Sequence, residues 1–465
     1  MSIARNIALG NGITIDGKIE TNGFQPLYTF LTVPAFWVSG DNRLEAMRVV
    51  FILSVLFYFA TAFLIGKITQ KIFSGDEKTR SISFWIGFIT YLTSVLIFLS
   101  HFNGLETGVL LFFYTLVLHY LIKNDVDSYK QVLILGVLLG LLVLIRIDTV
   151  FFTIIVAISF FFKKELVFKK KLIFFFIIGI TAFVVSSPWW LYNFINFGSI
   201  MPTSGTAQSK IGFTTDRLFY VKQALLQNII PYINFANRVL TGNPLSIIQF
   251  VAVLLSIFLT WKIFMEKYNT NFSNIYFRRV IKISLLLIVS IIILSLWYSY
   301  TSLAVWFYSR YLIPISIIGV LWISFILVSF SNKYKKFILS FILILSLLFT
   351  SLIFILHFRV GIQGSEFYNH QLALIKKYIP DESTPVSAAQ TGTLGFFREN
   401  VVNLDGKVNP EVLKFNNRIE YLEHLNIHWF CDWAICVKDF LGENPEKFGW
   451  SKIDSSTTFY LYHKN

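Results

Sequence analysis

Charge is scarce in this chain. Only 14% of its 465 residues are Asp, Glu, Lys or Arg, against about 25% in an ordinary soluble domain. Hydrophobic residues make up 55% and aromatics 18%, and the mean hydropathy is +0.64. A soluble protein of this composition would expose large apolar patches and aggregate. A soluble enzyme and a disordered chain are thereby excluded. Cysteine is scarcer still, with Cys431 and Cys436 alone, too few for a disulfide framework or a four-ligand zinc site. The first 25 residues hold no apolar run and show no cleavable signal peptide. What is abundant is Phe, at 50 residues, which supplies lipid-facing surface.

A spanning helix needs about 20 apolar residues. The sequence predicts ten: roughly 47–68, 82–100, 105–122, 131–148, 149–162, 172–190, 245–264, 283–300, 311–330 and 337–357. The apolar stretch Pro26–Val38 is too short to span and reads as an interfacial or re-entrant helix. Alternate connections between spans carry 19 of the 40 basic residues, among them Lys67, Lys71, Lys123, Lys163, Arg279 and Lys335. The short connections on the other face hold only Arg146 and Arg310, both at helix ends. By the positive-inside rule the basic face is cytoplasmic. This placement accounts for the net charge of +14 without nucleic acid. The segment 358–465 has 11 basic residues against 13 acidic ones, so it carries no nucleic-acid footprint. Ten spans place both termini outside, and 1–46 would cross with no span ahead of it. Short tails can cross unaided; the expectation is one further helix upstream, with Met1 an internal start.

Three pieces face the exterior: 1–46, a Pro-, Asn- and Gly-rich loop at 189–244, and a C-terminal domain at 358–465. In the last, a helix at 366–379 stops at Pro380, and strands are expected at 386–389 and 401–404. A helix at 410–425 and strands at 429–437 and 457–462 follow. Such alternation argues a small α/β domain. If 429–437 is one strand, Cys431 and Cys436 point to opposite faces and remain free, buried thiols. The predicted fold is mainly α: a polytopic membrane bundle over 47–357 with a small extracytoplasmic α/β domain.

Ionisable groups near the hydrocarbon are costly, about 2.5–3.5 kcal/mol each, so their positions are informative. Glu106 lies between the second and third spans, Arg146 and Asp148 at the turn between the fourth and fifth, and Arg310 at the start of the ninth. All sit at exterior helix ends. No charged residue occupies a clear midplane position, and no inverted repeat or broken helix is evident, which argues against a transporter. Singly, each has an ordinary reading. Arg146 and Asp148 can pair as an anchor, Arg310 can snorkel to headgroups, and Glu106 can serve a loop or a helix start. Together they suit a lipid-phosphate sugar donor whose tail stays in the bilayer. Arginines stabilise a leaving phosphate, and a carboxylate takes the acceptor's proton. Trp189, Trp190 and Tyr192 read either as an aromatic belt or as a stacking surface for sugar.

These stretches resemble a known family. Ser2–Ala8 with Thr21-Asn22-Gly23-Phe24-Gln25-Pro26 is similar to the first exterior loop of bacterial GT-C glycosyltransferases. That superfamily includes protein mannosyltransferases and lipid A aminoarabinose transferases. Further similar stretches are Asn103-Gly104-Leu105-Glu106-Thr107, Arg146-Ile147-Asp148, Ser187–Asn193, Phe197–Gly205, Tyr308–Pro314 and Val402–Asn409. In order, they cover nearly the whole chain. The resemblance implies a helical bundle using a polyprenyl-phosphate sugar donor, with its active site facing away from the cytoplasm. The acceptor is a glycan, lipid or protein. On their own chemistry, Arg146 and Arg310 are the candidates for the donor phosphate and Glu106 for the catalytic carboxylate. Asp148, Gln25, Trp189, Tyr192 and Tyr308 would line the substrate groove. The resemblance also implies an acidic pair just after a first helix; no such pair precedes Ser2. Some branches of the family use a divalent metal and others do not, and no ligand cluster of diagnostic spacing decides it. The bacterial inner membrane is the expected location. A catalytically degenerate relative that binds a lipid-linked saccharide or an envelope-assembly partner is the alternative.

Overall fold

The computed structural model describes residues 1–73, 77–232, 274–329, 369–456 and 458–464. The expected spans 245–264 and 337–357 lie outside the described residues. In chain order the helices are α1 (Ser2–Ala8), α2 (Pro26–Ser39), α3 (Arg43–Ile72), α4 (Glu77–Leu92), α5 (Val95–His101), α6 (Thr107–Lys123) and α7 (Tyr129–Ile145). They continue with α8 (Val150–Ser159), α9 (Phe168–Phe197), α10 (Thr203–Ala207), α11 (Thr215–Ile229), α12 (Ile275–Thr301) and α13 (Val305–Ser329). Two compact units result. One comprises Met1–Val50, Leu191–Ser209 and Ile353–Asn465; the other comprises Phe51–Trp190 and Lys210–Leu352.

Four described helices, α3, α9, α12 and α13, are long and apolar enough to cross a membrane. The 30-residue α3 has the length of about 45 Å that a tilted span allows. Its faces are sorted for lipid. Phe51, Leu56, Phe59 and Phe63 are exposed, while Tyr58, Ala62, Ile65 and Thr69 are buried. A face of exposed Phe and Leu on a long helix is a lipid contact surface, and the chain is a multi-pass membrane protein.

The remaining spans differ from expectation. The stretch 82–100 is not one rod: α4 and α5 bend by 67°. The Ser94 hydroxyl caps α5 through Ile97 N–H and donates to the Pro231 carbonyl at 2.6 Å. Thus the expectation of no broken helix fails here. The apolar pieces at 107–123, 129–145 and 147–162 are shorter helices. They were expected to span on apolar length alone, but extended backbone at Asn124 and Arg146 ends the first two. The 189–244 segment is not a plain loop either. Pro188 is accommodated inside α9, and Thr214 caps α11 by accepting Arg217 N–H.

Helix α7 packs on α9 through small residues, the usual means of close approach between membrane helices. A Cβ on Gly140 would stand 2.7 Å from Val185 Cβ and 2.8 Å from the Ala182 carbonyl oxygen. On Gly179 of α9 it would meet nothing within 4 Å. Gly140→Leu is therefore expected to cost about 1–3 kcal/mol through overpacking. Gly179→Ala should be neutral or gain about 0.5–1 kcal/mol. Thermal inactivation of the two purified variants checks this, and equal melting would refute the close packing.

In the other unit, residues 1–50 and the C-terminal segment share contacts. The Arg5 guanidinium forks onto Asp41 (Nε–Oδ1 2.5 Å, Nη2–Oδ2 3.0 Å) and reaches Glu399 at 3.1 Å, and Arg43 also pairs with Glu399. Hydrogen bonding from Arg5 holds the Asp41 carboxyl below its ordinary value. The stabilisation this provides is present above the unfolded-state value and is lost as pH falls through the depressed one. Comparing the acid-side melts of the wild type and Asp41→Asn should show their difference shrinking as pH falls. Asn22 Oδ1 accepts from Thr203 N (3.0 Å) and Oγ1 (2.8 Å). Thr203 Oγ1 also donates to the Lys407 carbonyl.

The C-terminal sheet contains β1 (Val386–Ala388), β2 (Val401–Asn403), β3 (Trp429–Trp433), β4 (Trp450–Ser456) and β5 (Phe459–Lys464). Its order is β2-β1-β3-β5-β4. β1 pairs parallel with β2 and β3, whereas β5 pairs antiparallel with β3 and β4. Alternation along β3 sends Phe430 into one core and Cys431 into the other. Three expectations need correction. The helix at 410–425 is a short 3-10 turn at Glu411–Lys414 and a helix at Arg418–His424, restarted by the Asn417 cap. The strand at 429–437 ends at Trp433, where Asp432 Oδ1 accepts Trp433 N–H and a helix at Ala434–Leu441 begins. β4 is additional to the expected strands.

Both thiols are free and buried, although Cys436 lies on a helix rather than a strand. Burial first, then the nearby Asp432 carboxylate, pushes both well above the ordinary thiol range. Neither should react with iodoacetamide at neutral pH until the protein is unfolded, when two alkyl groups should appear by mass. Rapid labelling of the folded protein would contradict this burial.

Candidate active site

A turn, a helix end and a helix start together place one cluster of charges. Gly104 adopts φ +72°, a conformation that L side chains disfavour. Asn103 closes the turn by accepting Leu105 N–H at 2.9 Å, and Asn103 Nδ2 donates to Thr107 Oγ1. Glu106 therefore enters at the N-cap position of α6, yet its carboxylate makes no capping bond. It turns instead to arginine. Arg146 is the extended residue that ends α7, followed by the 3-10 turn Ile147–Thr149. Its backbone is pinned there by Thr149, whose hydroxyl donates to the Arg146 carbonyl at 2.8 Å.

Arg146 forks onto Asp148 (Nε–Oδ1 3.1 Å, Nη2–Oδ2 2.5 Å) and donates through Nη1 to Glu106 Oε1 at 3.1 Å. The Arg146 and Glu106 side chains are only 3% and 4% exposed. Arg310, in the first turns of α13, places Nη2 3.4 Å from the same Glu106 oxygen. Its side chain is 24% exposed, and its Nε has no partner among the described residues. Two guanidiniums and two carboxylates thus balance in charge, as burial requires.

Two tyrosines complete the cluster and were not singled out as site residues from sequence. Tyr298, near the end of α12, donates its hydroxyl to Asp148 Oδ2 at 2.7 Å. Tyr311 stacks on Tyr298 at 4.4 Å and lies under Arg146 at 4.6 Å. Their sequence signal was ambiguous, because a tyrosine at a span end reads first as part of an aromatic belt. Tyr308 is buried beside them, its hydroxyl 2.8 Å from the Tyr298 carbonyl.

The other groove candidates do not share these contacts. Trp189 is buried in α9. Gln25 and Tyr192 belong to the other compact unit. Gln25 sits at the N-cap of α2, and Tyr192 donates to the Thr21 carbonyl at 3.1 Å. Among the described residues, no group of three or more His, Cys, Asp or Glu is placed to hold a metal ion.

No family model matches the chain, and no curated protein matches it in sequence. Solved structures do match. ArnT from Cupriavidus metallidurans in the apo state aligns with a TM-score of 0.60 at 12% identity, covering 99% of this chain and 91% of that one. The same protein bound to undecaprenyl phosphate aligns at 0.56 and 10% identity, covering 99% and 92%. At this identity the likeness is one of fold, and it extends over nearly the whole chain. The architecture is that of ArnT.

Proposed function

We propose that this chain is an integral-membrane glycosyltransferase that passes a sugar from a polyprenyl-phosphate donor to an extracytoplasmic glycan, lipid or protein. The observation that carries the reading is the Glu106–Arg146–Asp148–Arg310 cluster. It sets two guanidiniums among helix ends in a fold shared with ArnT, which has been crystallised bound to undecaprenyl phosphate. In the reaction the sugar–phosphate C–O bond breaks with its electron pair passing to the phosphate oxygen, the acceptor oxygen bonds the sugar carbon, and the acceptor's proton passes to the Glu106 carboxylate. Arg310, partly exposed and with its Nε N–H unpartnered among the described residues, takes the developing phosphate charge. Glu106 holds Arg310 and Arg146 at one point. Arg146, committed to both carboxylates, acts by fixing that geometry and adding positive potential. Asp148 and Tyr308 support it. The cluster end would face away from the cytoplasm of a bacterial inner membrane.

One observation favours a second reading, binding without transfer. Both carboxylates of the cluster are already engaged, Glu106 by two arginines and Asp148 by Arg146 and Tyr298. The test is to incubate the purified chain, in lipid nanodiscs, with radiolabelled polyprenyl-phosphate sugars. Release of polyprenyl phosphate with label on an acceptor supports transfer. Tight retention of intact donor supports the binding reading. No interaction with any such donor would remove both.

A further inference from the structure

Helices α6 and α12 each run from the acid-paired cluster to a second charged group. Lys123 ends α6, about 25 Å along the helix from Glu106. Arg279 lies in the first turns of α12, about 29 Å along it from Tyr298. At this end Lys71 is within electrostatic reach of Lys67, Arg80, Lys123 and Arg279, cations from four separate helices. Lys71 and Arg279 both contact one aromatic ring. Lys71 Nζ stands 4.5 Å and Arg279 Cζ 5.7 Å from the Tyr276 ring centre. Among the described residues, Asp125 is the one carboxylate paired with any of the five, and it pairs with Arg279. The first turn of α12 contains no acidic residue, so the positive end of its dipole adds to the cation field.

A topological bias of basic residues needs only loop charges exposed to water. Here Lys67, Lys71 and Arg279 are half-buried, and Lys67 and Lys71 are like charges one turn apart, an unfavourable pairing. Such a group is stable when an anion joins it. The neighbouring surface indicates the kind of anion. Lys67 lies 5.3 Å from both the Phe63 and Phe84 rings. Phe63 and adjacent Trp85 are exposed apolar side chains at this end.

We infer that the junction of α3, α4, α6 and α12 binds the phosphate headgroup of an anionic phospholipid, with Lys67, Lys71, Arg80, Lys123 and Arg279 facing the phosphate. The acyl chains run along the exposed Phe63–Trp85 surface. This site is separate from the Glu106 cluster and does not depend on the transferase reading.

The test is native mass spectrometry of the purified full-length chain with a two-phosphate, cardiolipin-type lipid against phosphatidylcholine. The wild type should retain the two-phosphate lipid at least tenfold more, falling as salt rises. Each cation removed should lower that preference about fivefold. Lys71→Gln with Arg80→Gln removes two cations without breaking any carboxylate pair, and adding Lys123→Gln removes a third. The control is Lys130→Gln, Lys164→Gln and Lys169→Gln, three exposed cations elsewhere. Loss confined to the first set supports the site. Equal loss in both sets, or no loss in either, overturns it. Displacement of the lipid by an equal concentration of inorganic pyrophosphate would keep the phosphate chemistry and overturn the lipid as its source.

Discussion

Glu106→Ala should destabilise the protein by about 3–5 kcal/mol, the usual cost of breaking a buried ion pair from one side. Its carboxylate oxygen serves two guanidiniums, at 3.1 and 3.4 Å, and is itself 4% exposed. Without it, among the described residues Arg146 keeps Asp148, the Tyr298 hydroxyl and the Tyr311 ring, while Arg310 loses its one ion-pair partner. Glu106→Gln should cost less, because an amide oxygen can still accept from Arg146 in a side chain of the same size. The ordering wild type, then Gln, then Ala is to be read from thermal inactivation in one detergent. An Ala variant as robust as wild type would show that the buried pair does not hold this end of the bundle. Asp148→Asn is the companion case. It replaces a charged partner of Arg146 and should fall near the Gln variant.

Arg310→Ala separates function from stability. Arg310 is partly exposed, and Glu106 remains paired with Arg146 when it is gone, so melting should change little. Donor engagement should fall steeply. Two charge-assisted hydrogen bonds to a phosphate, each contributing about 1.5–3 kcal/mol, correspond to a loss of about 10²-fold or more. Arg310→Lys should recover only part of it, because an ammonium lacks the planar fork. The measurement is retention of a polyprenyl-phosphate sugar, together with transfer if the wild type transfers. Normal retention by Arg310→Ala would remove Arg310 from the donor phosphate while leaving the fold untouched.

The sequence by itself determined the class of protein. Scarce charge, apolar runs and basic connections can be read without coordinates because the bilayer imposes its length and polarity on every segment separately. It also marked Glu106, Arg146, Asp148 and Arg310, since ionisable residues at span ends are rare enough to stand out. Only the tertiary structure decided how they pair. Arg146 meets Glu106 across 40 positions and Tyr298 across 152, and no local periodicity encodes such distances. The same holds for the bend between α4 and α5, where Ser94 contacts Pro231, 137 positions away. It holds too for the helix at Ala434, where a run that reads as strand turns helical. The Asp432 carboxylate that accepts Trp433 N–H there also accepts the Ala389 and Gln390 N–H groups from across the sheet. Local propensity sets what a segment can become. Burial and the need to pair each buried charge and N–H decide which of those options is taken.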